Sequence, residues 1–431
     1  MKAIISNRIY LQGTSEVIDD IKKKLTYKLE TKVPSKNGKS RIAIEIIRNY
    51  KTLPKGVLSM PRGRMELIPE GYEIVDKTIE VPEALPEPLY PLREGQLDVY
   101  NEVEGTCFIN ALVGWGKTFT ALHLAKKLGQ KTLVVTHTTM LRDQWVKEIR
   151  HLFEIEPGII SAGIFDVDSP IVVGNVQTVT KHALAISKMF GTVILDEAHH
   201  VAAATFTEII DTSYAKYRIA LSGTMVRKDG RHILFPDYFG HKVLKPPQSH
   251  TINPTVRIVK TGVQLTPGEI WAKKINNLIY DPDYQEYIAT MAAMRISEGH
   301  SVLVIADRVD FLRAVQEWLG DETCMLVTGE TGFEAREQIT EQINSGKKSC
   351  IAGSRQIFSE GISVNRLSCV ILASPIANEA LLEQIIGRIM RDFPGKPNPL
   401  VMDLQFAGFA DKKQNNLRLG FYLKKGWTIE A

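Results

Sequence analysis

Three short groups of residues in this 431-residue chain could do chemistry together. The first is Gly114, Gly116, Lys117 and Thr118, between the apolar run CFINAL and the helix-like FTALHLAKKLG. Two glycines let the backbone turn tightly, so that successive N–H groups and the start of the following helix point at an anion. Lys117 would neutralise the β and γ phosphates of a nucleotide, and the Thr118 hydroxyl would ligate Mg²⁺. Ala111 stands where the general pattern of such a loop has its first glycine. Trp115, inside the loop, can either touch the nucleotide or simply pack. The second group is Asp196 and Glu197, at the end of TVILDE and 78 residues beyond Thr118. Asp196 would hold Mg²⁺ and Glu197 would orient or deprotonate an attacking water; two acids at a strand end can also merely cap the next helix. The third is Arg388 and Arg391, which on a helix would project from one face. Rigid guanidinium groups suit the charge that develops on a transferring phosphoryl group. If that face lies across a cleft from Lys117, the site is complete only when two domains close.

These groups need a scaffold that ends strands beside helix starts. Short apolar runs, TCFINAL, TLVVTH, SPIVVGN and TVILDE, alternate with helical segments such as MLRDQWVKEIRHLF. That pattern predicts βαβ units and a parallel sheet covered on both faces, with ligands at the carboxyl ends of the strands. A break follows at LKPPQSHTINP, with Pro246, Pro247 and Pro254. Beyond it come a helical stretch from Glu269 to Ser297 and a second series, SVLVIAD, CMLVTGE, KSCIAGS, CVILAS and LVMDL. Upstream, VPEALPEPLYPLRE places Pro82, Pro86, Pro88 and Pro91 within ten residues and reads as a semi-rigid linker. Before it, RIYLQG and RIAIEII predict strands and SEVIDDIKKKLTYKL a short amphipathic helix. The expected architecture is α/β: a small α+β domain over 1–88, then parallel-sheet domains over 89–248 and 249–431.

Composition agrees with a globular chain, at 44% apolar and 24% charged. No apolar run approaches the ~18 residues of a spanning helix, and the apolar start is cut short by Arg8, too early for a signal peptide. A soluble, cytoplasmic protein without a membrane partner is expected. Cys107, Cys324, Cys350 and Cys369 are widely separated, which disfavours a zinc site or a disulfide framework. The net charge of +4 is uneven: residues 1–64 hold 15 Lys/Arg against 5 Asp/Glu, so the remainder is net acidic. The clusters Lys22, Lys23, Lys24 and Lys28, and Arg62 and Arg64, could neutralise phosphates by counterion release; the lysine run can equally be a solvated helix face.

The motifs resemble, in order and over about residues 90 to 410, those of the superfamily 2 helicases, with Asp196-Glu197-Ala198-His199 spelling the DEAH box. LREGQ, with Arg93 and Gln96, looks like the Q motif, which implies that these residues read the adenine of ATP. VVTHTTMLRDQW is similar to motif Ia, with His137 for the usual proline and Thr139 for a common arginine. VGNVQTV, with Gln177 and Thr178, resembles the next nucleic-acid motif. Ser222-Gly223-Thr224 is similar to motif III, which, with His199, couples hydrolysis to strand separation. Thr328 lies in a Thr-Gly element, and SRQIFSEGISV resembles motif V, with Ser363 where many members carry aspartate. QIIGRIMR is similar to motif VI, carrying Gln384, Gly387, Arg388 and Arg391, with Ile385 in place of a frequent arginine.

The resemblance implies two RecA-like motor domains that use ATP and Mg²⁺. Arg93, Gln96, Gly114, Trp115, Gly116, Lys117, Thr118, Gly361 and Gln384 would contact the nucleotide. Thr138, Gln177, Thr178, Thr328, Ser354 and Gly361 would contact the nucleic-acid backbone. His199, Ser222, Thr224 and Gln384 would couple the two. The DEAH sequence followed by His200, the Ser-Gly-Thr and the Ile-Ser-Val of motif V look most like phage branch-migration helicases of the UvsW type, and more distantly XPB and RecG-like translocases, and the PRG at 61–63 is similar to a turn before the motor in such proteins. A monomeric ATP-dependent DNA helicase or translocase acting on forked or branched DNA is expected. An RNA helicase of the DEAH type and the motor of a restriction system are the alternatives.

Overall fold

The structure is a computed structural model that describes residues 1–431 except 35–39, 112–113, 200–202, 224–229, 247–251, 265–270, 361–363, 408 and 431. The chain forms two compact units, Met1–Ala111 with Gly116–Pro247, and Leu112–Trp115 with Gln248–Ala431.

The first unit contains the main parallel sheet, in the order Ile164–Phe165, Gly158–Ser161, Ile171–Asn175, Thr132–Thr136, Thr192–Leu195, Tyr217–Ser222, Cys107–Asn110 and Val243–Leu244. Only the short pairing of Gly158–Ser161 with Ile164–Phe165 is antiparallel. Thr132–Thr136 and Thr192–Leu195 are buried at every position, as expected for central strands with helices on both faces. The runs after Cys107–Asn110, Leu195 and Ser222 therefore leave the sheet at one edge.

The amino-terminal part builds a five-stranded sheet in the order Lys51–Leu53, Val57–Met60, Ile9–Leu11, Lys2–Ile5 and Glu73–Asp76. Ile5, Ile9, Leu11, Ile18, Ile21, Leu25, Leu58 and Met60 form its core. The predicted helix is shorter than expected, Ser15–Lys24. Thr14 caps it by accepting from the Val17 N–H, and Lys22, Lys23 and Lys24 fill its last turn, where cations suit the helix dipole. The β-formers that follow enter an antiparallel hairpin, Thr26–Pro34 with Ser40–Arg48, separate from both sheets.

This amino-terminal part is welded to the main sheet of its unit, and the weld uses residues that the sequence suggested for phosphates. Asp237, fully buried, accepts from Tyr27 Oη at 2.7 Å, Asn49 Nδ2 at 2.6 Å and Arg64 Nη1 at 3.0 Å. Arg62, buried, donates to the carbonyls of Ser6 and Lys216. Arg8 pairs with Asp211, and buried Arg218 donates to the carbonyls of Asn7, Ile210 and Ser213. Arg62 and Arg64 are thus committed to carbonyls and a carboxylate inside the protein, so the expectation that they neutralise phosphates is corrected. Gly63 is required here by space: its N–H meets the Asp237 carbonyl at 2.8 Å, and a Cβ would lie 2.4 Å from the Pro236 oxygen.

The proline-rich segment is likewise strapped down. The Val81 carbonyl accepts from the Lys131 N–H, Glu83 N–H donates to the Gly129 carbonyl and Leu89 N–H to that of Leu152, and Tyr90 stacks on His151 with ring centroids 4.6 Å apart. Prolines keep it extended, and the N–H groups of Val81, Glu83 and Leu89 find acceptors in the unit along which it runs.

The second unit has a fully parallel sheet, in the order Cys324–Val327, Cys350–Ser354, Val302–Ala306, Cys369–Leu372, Leu400–Ala407, Thr255–Gln264 and Thr428–Glu430. The stretch from Glu269 to Ser297 is two helices within its described part, Trp271–Ile279 and Pro282–Ser297, because Asp281 caps a new helix with Pro282 at its first position. All four cysteines are buried.

Candidate nucleotide and nucleic-acid site

The loop after Cys107–Asn110 turns through two left-handed glycines, Gly114 at φ 88° and Gly116 at φ 97°, and the helix Lys117–Leu128 begins at once. Gly116 is also the point of closest approach: a Cβ would sit 2.3 Å from Gln96 Nε2 and 3.2 Å from an Arg93 guanidinium nitrogen. Gln96 Oε1 accepts from the Arg93 N–H at 3.0 Å, which fixes the start of the helix Glu94–Glu102. The structure thus brings Arg93 and Gln96 against the glycine loop.

Lys117 Nζ donates to the Ala111 carbonyl at 3.0 Å and lies 3.8 Å from Glu197 Oε1. Glu197 Oε2 is 3.2 Å from His199 Nδ1, which is 2.6 Å from Ser222 Oγ. The backbone laces the same segments together, with Ala111 N–H on the Ser222 carbonyl and Ala198 N–H on the Leu221 carbonyl, each at 3.0 Å. Lys117, the acid pair and Ser222 therefore meet at one sheet edge. Glu197 itself adopts φ 44°, a left-handed backbone that costs an ordinary residue energy and that recurs at working sites.

Asp196, nearly fully buried, accepts from Trp145 Nε1 at 2.7 Å through one oxygen and from the Glu197 N–H at 2.9 Å through the other. Burial, followed by the adjacent Glu197 charge, pushes its carboxyl up to about 6, against the pull of the Trp145 hydrogen bond and of Lys117. Trp145 is wholly buried on the helix Thr139–Phe153. It was not foreseen: it closes the VVTHTTMLRDQW string, but nothing in its type or spacing says that its ring N–H reaches a residue 51 positions away.

The residues fit a magnesium nucleotide. The left-handed glycines leave a cradle with no room for a side chain at Gly116, next to a lysine and two acids whose crowded negative charge a cation would relieve. Thr118 follows Lys117 on the first turn of the same helix. Among the described residues no cluster of three or more His, Cys, Asp or Glu could hold a metal ion. Thr118 and Asp196 would be its protein ligands beside phosphate oxygens, the usual sharing for Mg²⁺.

Thr138 and Gln177 lie just past the ends of two neighbouring strands, Thr132–Thr136 and Ile171–Asn175. Thr138 caps its helix by accepting from the Leu141 N–H at 3.2 Å; Gln177 is exposed and Thr178 half-buried on the helix Val176–Lys181. In the second unit, Thr328 and Ser354 likewise lie at the ends of adjacent strands. Thr328 is buried in a turn where its Oγ1 accepts from the Glu330 N–H. Gln384 and Arg388 are buried on the helix Glu379–Ile389, and Arg388 Nε donates to the Phe358 carbonyl at 3.0 Å. Arg391 falls beyond that helix and bonds Asn365 Oδ1 at 3.2 Å, so the expected shared helix face is corrected. A helix cannot run on through Pro394, whose ring would collide with the Met390 carbonyl. Thr224, Gly361, Ser363 and His200 lie outside the described residues.

Comparison with known proteins matches this layout. Residues 66–227 fit the family described as "Type III restriction enzyme, res subunit", and residues 285–392 the "Helicase conserved C-terminal domain". The chain is 40% identical over 435 residues to "Probable helicase D10" of Escherichia phage T5, covering 99% of this chain and 95% of that protein. It is 26% identical over 336 residues to "ATP-dependent DNA helicase uvsW" of Enterobacteria phage T4, covering 69% and 64%. The solved helicase domain of Pyrococcus furiosus Hef shares the fold, with a TM-score of 0.50, 13% identity and coverage of 76% and 98%. No helix among the described residues is long and apolar enough to cross a membrane. With two parallel-sheet units of RecA-like type and a relative matched along nearly its whole length, the chain belongs to the superfamily 2 helicases, ATP-dependent enzymes that act on nucleic acid, and is related to the phage helicases of T5 and T4.

Proposed function

We propose that this helicase is a DNA motor that unwinds or migrates forked and branched DNA in replication, recombination or repair. The carrying observation is the chain of contacts from Lys117 through Glu197 and His199 to Ser222, which joins hydrolysis to the motif that follows nucleic-acid engagement. In this reading Lys117 neutralises the phosphates, Thr118 and Asp196 hold Mg²⁺, and Glu197 activates water. Arg388 and Arg391 serve the transferring phosphoryl group, while Arg93, Gln96, Gly114, Trp115, Gly116, Gly361 and Gln384 bind ATP. Thr138, Gln177, Thr178, Thr328, Ser354 and Gly361 hold the phosphodiester backbone, and His199, Ser222, Thr224 and Gln384 couple the two events. Residues 1–88 form the DNA-recognition module, with 89–248 and 249–431 as motor domains, and the protein works as a monomer. The basic amino-terminal sequence and the DNA helicase of phage T4 among the relatives support DNA over RNA. The test is ATP turnover on single strands, blunt duplex, fork, four-way junction and RNA at matched salt. Stimulation greatest by fork or junction is expected; stimulation by RNA alone would replace DNA with RNA as the substrate.

A further inference from the structure

The positive charge of the amino-terminal module is concentrated at the end of the helix Ser15–Lys24 and in the hairpin that follows it. Residues 22–48 carry nine Lys/Arg against two Asp/Glu, while Arg8, Arg62 and Arg64 are buried in the weld or largely so. Most of that stretch is the hairpin Thr26–Pro34 with Ser40–Arg48. One face of the hairpin is seated: Tyr27 and Ile47 pack against the core of the main sheet, Leu29 is buried beside Gly230, and Glu45 pairs with Arg231. Because side chains alternate along a strand, the other face presents Lys28, Glu30, Ile44 and Ile46. Ile44 is 56% exposed and Ile46 55%, and the register sets Lys28 opposite Ile46. Two adjacent bare isoleucines on a basic ribbon are not explained by packing within the unit.

We infer that this hairpin is an arm that lies in a groove of duplex nucleic acid, with Lys28, Arg48 and the lysines at its foot on phosphates and Ile44 and Ile46 against the groove surface. The inference rests on the proposed nucleic-acid motor and names where its duplex is held. A two-stranded ribbon fits the major groove, and apolar side chains on such elements pack against bases or wedge between them. Charge selects the occupant: with nine basic residues against two acidic ones over 22–48, a second copy would bring like charge to the contact, whereas a polyanion is complementary. Lys22 and Lys24 pair with Asp19 and Asp20, and Lys28 with Glu30. Such surface pairs are weak and exchange readily for phosphates.

The test uses the full chain and a labelled blunt duplex, titrated over a range of salt. Ile44→Ser with Ile46→Ser should weaken duplex binding roughly tenfold without changing the salt slope, since only apolar contact is lost. Lys28→Ala with Arg48→Ala should weaken binding and flatten the slope by about one to two units. Wild-type duplex affinity in the isoleucine variant overturns the inference. So does a change from dimer to monomer by light scattering in that variant, which would make the face a self-contact. Failure of the underlying reading looks different: no nucleic acid would then stimulate ATP turnover by the wild-type chain.

Discussion

Asp237 and Asp196 are both buried aspartates in the same unit, and they are treated in opposite ways. Asp237 receives a phenol, an amide and a guanidinium, so its charge is neutralised where it sits. Asp196 receives one indole N–H and one backbone N–H, and its closest charged neighbour in sequence is another acid. A saturated carboxylate holds parts together. An undersaturated one, pushed up to about 6, keeps a charge that a cation would stabilise, as the proposed magnesium nucleotide requires.

Substitution should separate the two. Asp196→Asn or Glu197→Gln should cut nucleic-acid-stimulated hydrolysis by about a thousandfold, and Asp196→Asn should leave the thermal midpoint unchanged or raised. Steady-state turnover and calorimetry on the same samples check this; a large fall in midpoint for Asp196→Asn would erase the contrast. Asp237→Ala should do the reverse. Leaving Arg64, Tyr27 and Asn49 without their shared acceptor costs about 3–5 kcal/mol, seen as a midpoint lowered by roughly ten degrees, while the folded protein still turns over ATP.

Trp145→Phe probes the contrast more gently. Loss of the hydrogen bond that favours ionised Asp196 should lower turnover about tenfold and move the acid limb of the pH profile upward. An unmoved acid limb would assign that limb to another group. The sign for stability follows from the same shift. With its folded pKa raised, Asp196 favours the nucleotide-free fold at low pH, a contribution lost as pH rises through about 6, so Asp196→Asn should flatten the wild-type dependence there. Replacing Lys22, Lys23 and Lys24 with Ala should be the mildest change, within about 0.5 kcal/mol per residue in chemical denaturation.

Much of the motor was legible because its signals are local. Gly116-Lys117-Thr118 and Asp196-Glu197 each sit within one strand-to-helix turn, and the apolar runs announce the parallel sheets. What escaped depends on contacts between distant positions. Arg62 and Arg64 read as surface charge because their acceptors, the Lys216 carbonyl and Asp237, lie more than 150 residues away. Trp145 drew no notice because its partner, Asp196, lies 51 positions away. Arg391 was placed on a helix because a spacing of three suggests one, whereas the helix ends at Ile389, with Pro394 barring any long continuation.

The strand Tyr217–Ser222 joins these themes. Near one end Arg218 grips the carbonyl of Asn7, and at the other Ser222 meets His199. The two residues are four positions apart on a rod hydrogen-bonded along both flanks, to Thr192–Leu195 and to Cys107–Asn110. Extended strands stretch very little, and four residues span only about 13 Å. The amino-terminal module is thus tied through one stiff strand to the sheet edge where His199 and Glu197 sit, along a path that does not pass through the prolines.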